Sequence, residues 1–381
     1  MNNIRQPFTF NPATPIIAKR TIAYKNGSYD IYNVDKAFLP FDDVSSRTYR
    51  SAIVSDGKLV CLAPAKSVSS DHYETIVTNM VSEPAFFLTQ IVEGTMINLF
   101  WDSRRCVWEI ATRRNIGGNC GYFNIESPKM TFRTMFLEAL EINSLDDLET
   151  DFDFAFLNKE YSYSFVLQHP KNHLVTMIEK PLAYLVHAYH ITNSDVGAYY
   201  AYVQLDASWG NGRIQYAAEA TSDDVDNLNN PLSSAEFVGV MKINVDTGLR
   251  TTTYAEKYLE VKSLRGNNPC LHYQYLTLRK VGKVDDFLRY FPQYKAQFRQ
   301  FAEYFMRFKT RIHQLYMDVH VLKKTKVADI AIKRDKYYVE KLHYEVYLPG
   351  ITKFGKVFKV TKKVVEEFLD SENIMIPMGS E

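Results

Sequence analysis

The sequence predicts an α+β chain, with antiparallel strands and hairpins over the first two-thirds and an all-helical final third. Three observations carry that expectation. Short apolar and β-branched runs separated by turn residues fill the first 280 positions. From Phe291 onward apolar residues recur at nine positions in alternating steps of three and four. Charge divides at the same place: residues 281–381 hold 19 Lys+Arg against 13 Asp+Glu, and residues 1–280 hold 26 against 31. The overall charge of +1 therefore conceals an acidic part and a basic tail.

The elements follow in order. Ser51 to Val60 is two β-rich runs around Asp56-Gly57, a strong hairpin signal. Met96–Trp101 and Cys106–Ala111, joined by Asp102-Ser-Arg-Arg105, form a second hairpin. Met130–Leu140 has helical spacing through Phe132, Met135, Phe136 and Leu140. Tyr161–Leu167, Ala183–Ile191, Ala198–Leu205 and Glu236–Val245 read as further strands. The unbroken stripe from Phe291 to Val319, with Pro292 where a helix can begin, predicts a helix from about 292 to 322. Its aromatics are expected to pack a core rather than stack nucleobases. Two more helices are expected near Asp335–Tyr347 and Thr361–Asp370. Three segments result: an N-terminal extension over 1–45, a strand-rich domain over 46–280 and a basic helical domain over 281–381.

Composition bounds the class. With 46% apolar, 23% charged and 14% aromatic residues, the chain is an ordered globular protein and not a disordered one. Its four cysteines form no Cys-x-x-Cys pair and its nine histidines no cluster of metal-site quality, so no protein-held metal is expected. His187 and His190 lie three apart in one strand and point to opposite faces. No run of 18 apolar residues and no secretory leader is visible, so a cytoplasmic protein without membrane partners is the expectation.

Several segments together resemble one family. Tyr49-Arg50, Asp56-Gly57-Lys58-Leu59-Val60 and Pro64-Ala65-Lys66 look like the first strands of nucleotidyltransferase-fold ligases. Glu93-Gly94-Thr95 to Phe100 resembles their first motif, Lys-x-Asp-Gly, and Trp108–Arg114 the strand after it. Tyr161–Val166 with His169-Pro-Lys-Asn172 and Leu174-Val175 is similar to their third motif. Leu264-Arg-Gly-Asn267 with Tyr273–Leu276, leading into a helical tail, looks like ATP-dependent RNA ligases of the phage RNA ligase 1 type found in large DNA viruses. The resemblance covers about residues 46–320. It implies a nucleotidyltransferase antiparallel core, RNA as partner, and ATP with Mg²⁺ if the protein is active.

The same resemblance exposes what this chain lacks. The family's first step needs a lysine amine to attack the α-phosphate of ATP. Here that position is Ile91, and no lysine occurs between Lys66 and Lys129. The third-motif glutamate falls on Ser164 and its arginine on His173; the fifth-motif lysines fall on Thr252 and Tyr254. The fourth motif falls near Glu236. The resemblance implies nucleotide contacts at Lys66, Glu93, Gly94, Arg113, Glu236 and Lys262. Blander readings stand beside these: Glu93-Gly94 as a tight turn, Lys66 as a surface lysine, Gly117-Gly118-Asn119 beside Arg113 and Arg114 as a simple turn. The basic clusters Lys323, Lys324, Lys326 and Lys333, Arg334 read either as a solvated helix face or as an RNA-phosphate surface.

The expected function is that of an RNA-ligase-like protein, divergent or inactive, that binds RNA or a nucleotide. One alternative is an active RNA ligase that seals 5′-phosphate and 3′-hydroxyl ends with another lysine, such as Lys66. A second is a structural or assembly protein on a ligase-derived fold.

Overall fold

The computed structural model describes residues 4–10, 12, 14–35, 44–78, 85–121 and 130–372. The outer ends of the expected extension and tail, residues 1–3 and 373–381, lie outside that range, as does Lys129. The chain divides into two compact units, Met1–Ser263 and Leu264–Glu381. Residue 280 is the end of the helix Leu271–Lys280, which belongs to the second unit.

The first unit is built on three antiparallel sheets. A six-stranded sheet runs in the order β1 (Gln6–Phe8), β11 (Gly197–Val203), β10 (Leu182–Ser194), β9 (Tyr161–Gln168), β7 (Thr95–Asp102), β8 (Val107–Ala111). A four-stranded sheet is the meander β2 (Ile17–Tyr24), β3 (Gly27–Val34), β4 (Ala52–Ser55), β5 (Lys58–Leu62). A three-stranded sheet has the order β13 (Arg250–Tyr254), β12 (Gly239–Asn244), β6 (Phe86–Gln90). Within the expected N-terminal extension, strands β2 and β3 pair with each other, and β3 pairs with β4.

Alternation along β9 explains the layering. Tyr163, Phe165 and Leu167 point to one face and join Phe132, Met135, Phe136 and Leu140 of the helix Phe132–Leu140 in one core. Ser162 on the other face bonds the backbone of Leu62, which ties β9 to β5. The four-stranded sheet covers that face through Tyr32, Val54, Leu59 and Leu62 against Tyr189, Ile191 and Tyr200. The central strand is therefore buried on both sides, its aromatic and apolar residues interrupted by the buried Ser162 and Ser164.

The second unit is helical: Leu271–Lys280, Val284–Tyr290, Lys295–Tyr316, Lys333–Lys341, Leu348–Phe354 and Lys362–Ser371 are its main helices. The long aromatic stripe packs as expected. Phe298, Phe301, Phe305, Phe308, Ile312 and Tyr316 are all buried. Phe287 stacks on Phe298 at 4.9 Å with nearly parallel rings, and Phe305, Phe308 and Ile312 meet Tyr338, Val339, Leu342 and Leu369. The helix ends at Tyr316 rather than 322, because Met317–Val321 widens into a π-helical turn.

Candidate nucleotide-binding site

A cavity of about 780 Å³ lies in the first unit, walled by residues of β7, β9, β10 and β11 on one side and β6, β12 and β13 on the other. Its apolar wall includes Leu88, Ile91, Val92, Met96, Val166, Leu185 and Met241. Its polar part is dominated by cations: Arg50, Lys66, Arg250 and Lys262.

Each cation is placed by a specific element. Arg250 begins β13, and strand alternation puts Arg250, Thr252 and Tyr254 on the cavity wall together. Its buried guanidinium donates from Nε to the Ala65 carbonyl at 3.1 Å and from Nη2 to that of Pro64 at 3.4 Å. Those bonds fix the segment that presents Lys66. Lys66 is held by its own backbone N–H to the Arg47 carbonyl at 3.1 Å, while Arg47 donates to the Ser67 carbonyl. Lys262 comes from the helix Glu256–Arg265, with its ammonium 5.3 Å and 5.1 Å from the ring centres of Tyr254 and Tyr258.

Among the described residues none of these four cations is paired with a carboxylate. The electrostatic consequence is visible in their acidities. Burial, then Arg250 and Arg113, lower the Arg50 guanidinium to about 9. Burial, then Arg47, Arg113 and Arg50, lower the Lys66 ammonium. Burial lowers Arg250 as well. His187, buried behind them, is pushed well below its ordinary value by burial, Arg250 and Arg50, so it is neutral. Concentrated positive charge without counter-charge is costly in a folded protein unless an anion neutralises it.

Glu93 has a different task. Its Oε1 accepts the backbone N–H groups of Leu174, Val175 and Thr176 at 3.0, 2.9 and 3.3 Å. Gln168 donates to the Glu93 carbonyl, and Asn172 donates to Thr95 Oγ1 at 2.9 Å. Glu93 thus anchors the loop 169–176 to the start of β7. Gly94 is required there by a close approach: a Cβ would lie 2.4 Å from the Leu167 carbonyl oxygen. The Glu93 charge, after burial, also raises the Tyr258 phenol.

The sequence-predicted positions divide accordingly. Lys66, Glu93, Gly94 and Lys262 line one cavity with Ile91, Thr252 and Tyr254. Arg113 is not in its wall; its Nη2 donates to the Val34 carbonyl at 2.9 Å, although it is near enough to depress Arg50 and Lys66. The Gly117-Gly118 turn is packed rather than open, with the Tyr24 ring where a Gly117 Cβ would stand. Glu236 is exposed, away from the cavity wall, and accepts from the Met177 N–H at 3.4 Å. Ser164 is buried and donates to Asn98 Oδ1 at 2.8 Å. Arg250 is the site residue that sequence reasoning missed. The period-two pattern from Thr252 and Tyr254, carried two residues upstream, would have found it.

The donor set suits phosphate oxygens better than a protein-held cation. Glu93 and Glu219 are the carboxylates in the wall, and Glu93 already accepts three N–H bonds. Among the described residues no group of three His, Cys, Asp or Glu is placed to hold a metal.

In the second unit, Lys323, Lys324, Lys326 and Lys333 are exposed, with Lys324 3.7 Å from Asp318. Arg334 turns inward over the Phe308 ring and beside the buried Asp335. Among the described residues no helix is long and apolar enough to cross a membrane.

No protein-family model matches the chain, and no curated protein matches it. Among solved structures it is similar to a putative ATP-dependent DNA ligase from Aquifex aeolicus, with 12% identity and a TM-score of 0.39, over 94% of this chain and 85% of that one. It is also similar to a Naegleria gruberi RNA ligase solved with ATP and Mn, with 11% identity and a TM-score of 0.31, over 65% of this chain and 98% of that one.

Proposed function

We propose that the Met1–Ser263 unit is a divergent ligase-type nucleotidyltransferase that binds a nucleoside polyphosphate reversibly and forms no covalent adenylate, and that the basic tail contacts RNA. One observation carries the reading: Arg50, Lys66, Arg250 and Lys262 converge on one cavity wall, with no carboxylate partner among the described residues, beside Ile91, the position at which the resemblance calls for the lysine nucleophile. An isoleucine has no lone pair to attack phosphorus. The cations and the apolar wall together suit a phosphate chain and a flat base, so binding is retained where chemistry is not.

The test is incubation with radiolabelled ATP and Mg²⁺ followed by a denaturing gel. The proposal expects no labelled band. Stoichiometric label that survives denaturation would overturn it.

A second reading, an active ligase, is favoured by one observation. The depressed Lys66 ammonium, in the same cavity, holds more free amine at neutral pH than an ordinary lysine. Attack by that amine on the α-phosphate would expel pyrophosphate and leave AMP on Lys66. Label on the wild type that disappears in Lys66→Ala would establish this second reading in place of the first.

A further inference from the structure

The helix Lys333–Lys341 continues through the π-helical turn Leu342–Tyr347 into Leu348–Phe354. One side is committed to the core: Tyr338, Val339 and Leu342 are buried against Phe308 and Ile312. The other side carries two large rings that stay exposed although each meets a neighbour edge-on, Tyr337 against Tyr338 and Tyr344 against His343. Tyr337 is 53% exposed and Tyr344 66%, whereas neighbouring Tyr338 is 8% exposed. Tyr337 and Tyr344 are seven residues apart, Tyr337 in the α-helix and Tyr344 in the π-helical turn that continues it. Lys333 lies one turn before Tyr337, and the Lys341 ammonium is 5.8 Å from the Tyr337 ring centre.

The surrounding charge identifies what such a face would meet. Residues 321–363 contain twelve Lys+Arg against four Asp+Glu, and one of those four, Asp335, is buried and held by Arg311. Lys341 is paired with Glu345 and Glu372, so the exposed tyrosines offer a flat surface for a base while the exposed Lys323, Lys324 and Lys333 offer cations for the adjoining phosphates. A duplex hides its base faces and an acidic peptide has none, so neither would use the rings.

We propose that Tyr337 and Tyr344 form a stacking platform for a single-stranded polynucleotide, with Lys323, Lys324 and Lys333 on its phosphates. This rests on the reading of the tail as a nucleic-acid surface and names the strand type and the residues that recognise it. RNA and DNA share the chemistry used here, and the experiment separates them.

The experiment is fluorescence anisotropy of the full chain with labelled single-stranded RNA, the matching DNA strand and their duplex, each on the order of 12 nucleotides. Tyr337→Ala and Tyr344→Ala should each weaken single-strand binding by roughly five-fold or more, with Tyr337→Phe and Tyr344→Phe close to wild type. The salt slope should be unchanged in the tyrosine variants and reduced by about one in Lys323→Ala. Preference for RNA over DNA would identify RNA as the source, and equal binding would identify any single strand. If the strands bind but both alanine variants stay within two-fold of wild type, the platform is wrong while the basic surface stands. Equal affinity for the duplex, or for a polyglutamate competitor, would also overturn the platform. Absence of binding to any strand at low salt would overturn both the platform and the tail reading.

Discussion

A carboxylate in a cavity built from cations needs a reason to be there, and Glu93 has one that is independent of any ligand. It satisfies three consecutive backbone N–H groups, at Leu174, Val175 and Thr176. Replacing it with alanine leaves those donors unsatisfied, and should cost about 2 to 3 kcal/mol, read as a lower midpoint in denaturant with unchanged slope. Lys66 and Lys262 differ: among the described residues neither has a carboxylate partner to lose, and both line the cavity. Lys66→Ala and Lys262→Ala should each weaken ATP binding by about ten-fold or more with stability nearly unchanged, measured by calorimetric titration and thermal melts. At this scale the sequence was partly legible. Motif order brings Lys66, Glu93 and Lys262 to one cavity wall. Glu236 is not among the lining residues, although Val238 is; its segment, between short helical turns and β12, has no periodic signal to fix its register. Arg250 was overlooked because a single arginine in a threonine-rich strand carries no signature until its strand mates are known.

Tight turns decide which elements form. Asp56 and Gly57 both have positive φ, 48° and 73°, as a two-residue turn between β4 and β5 requires. A Cβ on Gly57 would touch nothing within 4 Å, so Gly57→Ala isolates the backbone cost. It should destabilise the first unit by about 1 kcal/mol in denaturant unfolding. The β2–β3 hairpin uses the same device at Lys25-Asn26, with φ of 45° and 63°, and Gly27 opens β3. Asn26-Gly27 was the available signal there. It was missed because β2 is an edge strand, exposed along much of its length, and so lacks the apolar alternation that marks its neighbours. The long helix was legible for the opposite reason: one face is wholly buried, and burial imposes the period of three and four on the sequence.

At the scale of the whole molecule, charge is segregated and titration follows it. His320 and His343 stack 4.0 Å apart with nearly parallel rings beside Tyr316 and Tyr347. Burial, then His343 and Lys323, lower His320 to about 4, and burial and Lys323 lower His343. In the unfolded chain His320 binds its proton near pH 6.5, so between that value and about 4 the unfolded state holds more protons, and the lowered His343 acts in the same direction. The His320 contribution is complete above pH 6.5 and is lost as pH falls toward 4. Thermal melts over that range should show a steeper loss for the wild type than for His320→Phe, which keeps the ring and removes the titration. The segregation also gives the central claim its most direct test. Calorimetric titration of the full chain with ATP and with adenosine asks whether the Arg50, Lys66, Arg250 and Lys262 cluster is a polyphosphate site. The account predicts reversible ATP binding at least about ten-fold tighter than adenosine, as expected when charge-assisted bonds to phosphate supply the difference. Equal affinity for the two, or no binding of either, would contradict it.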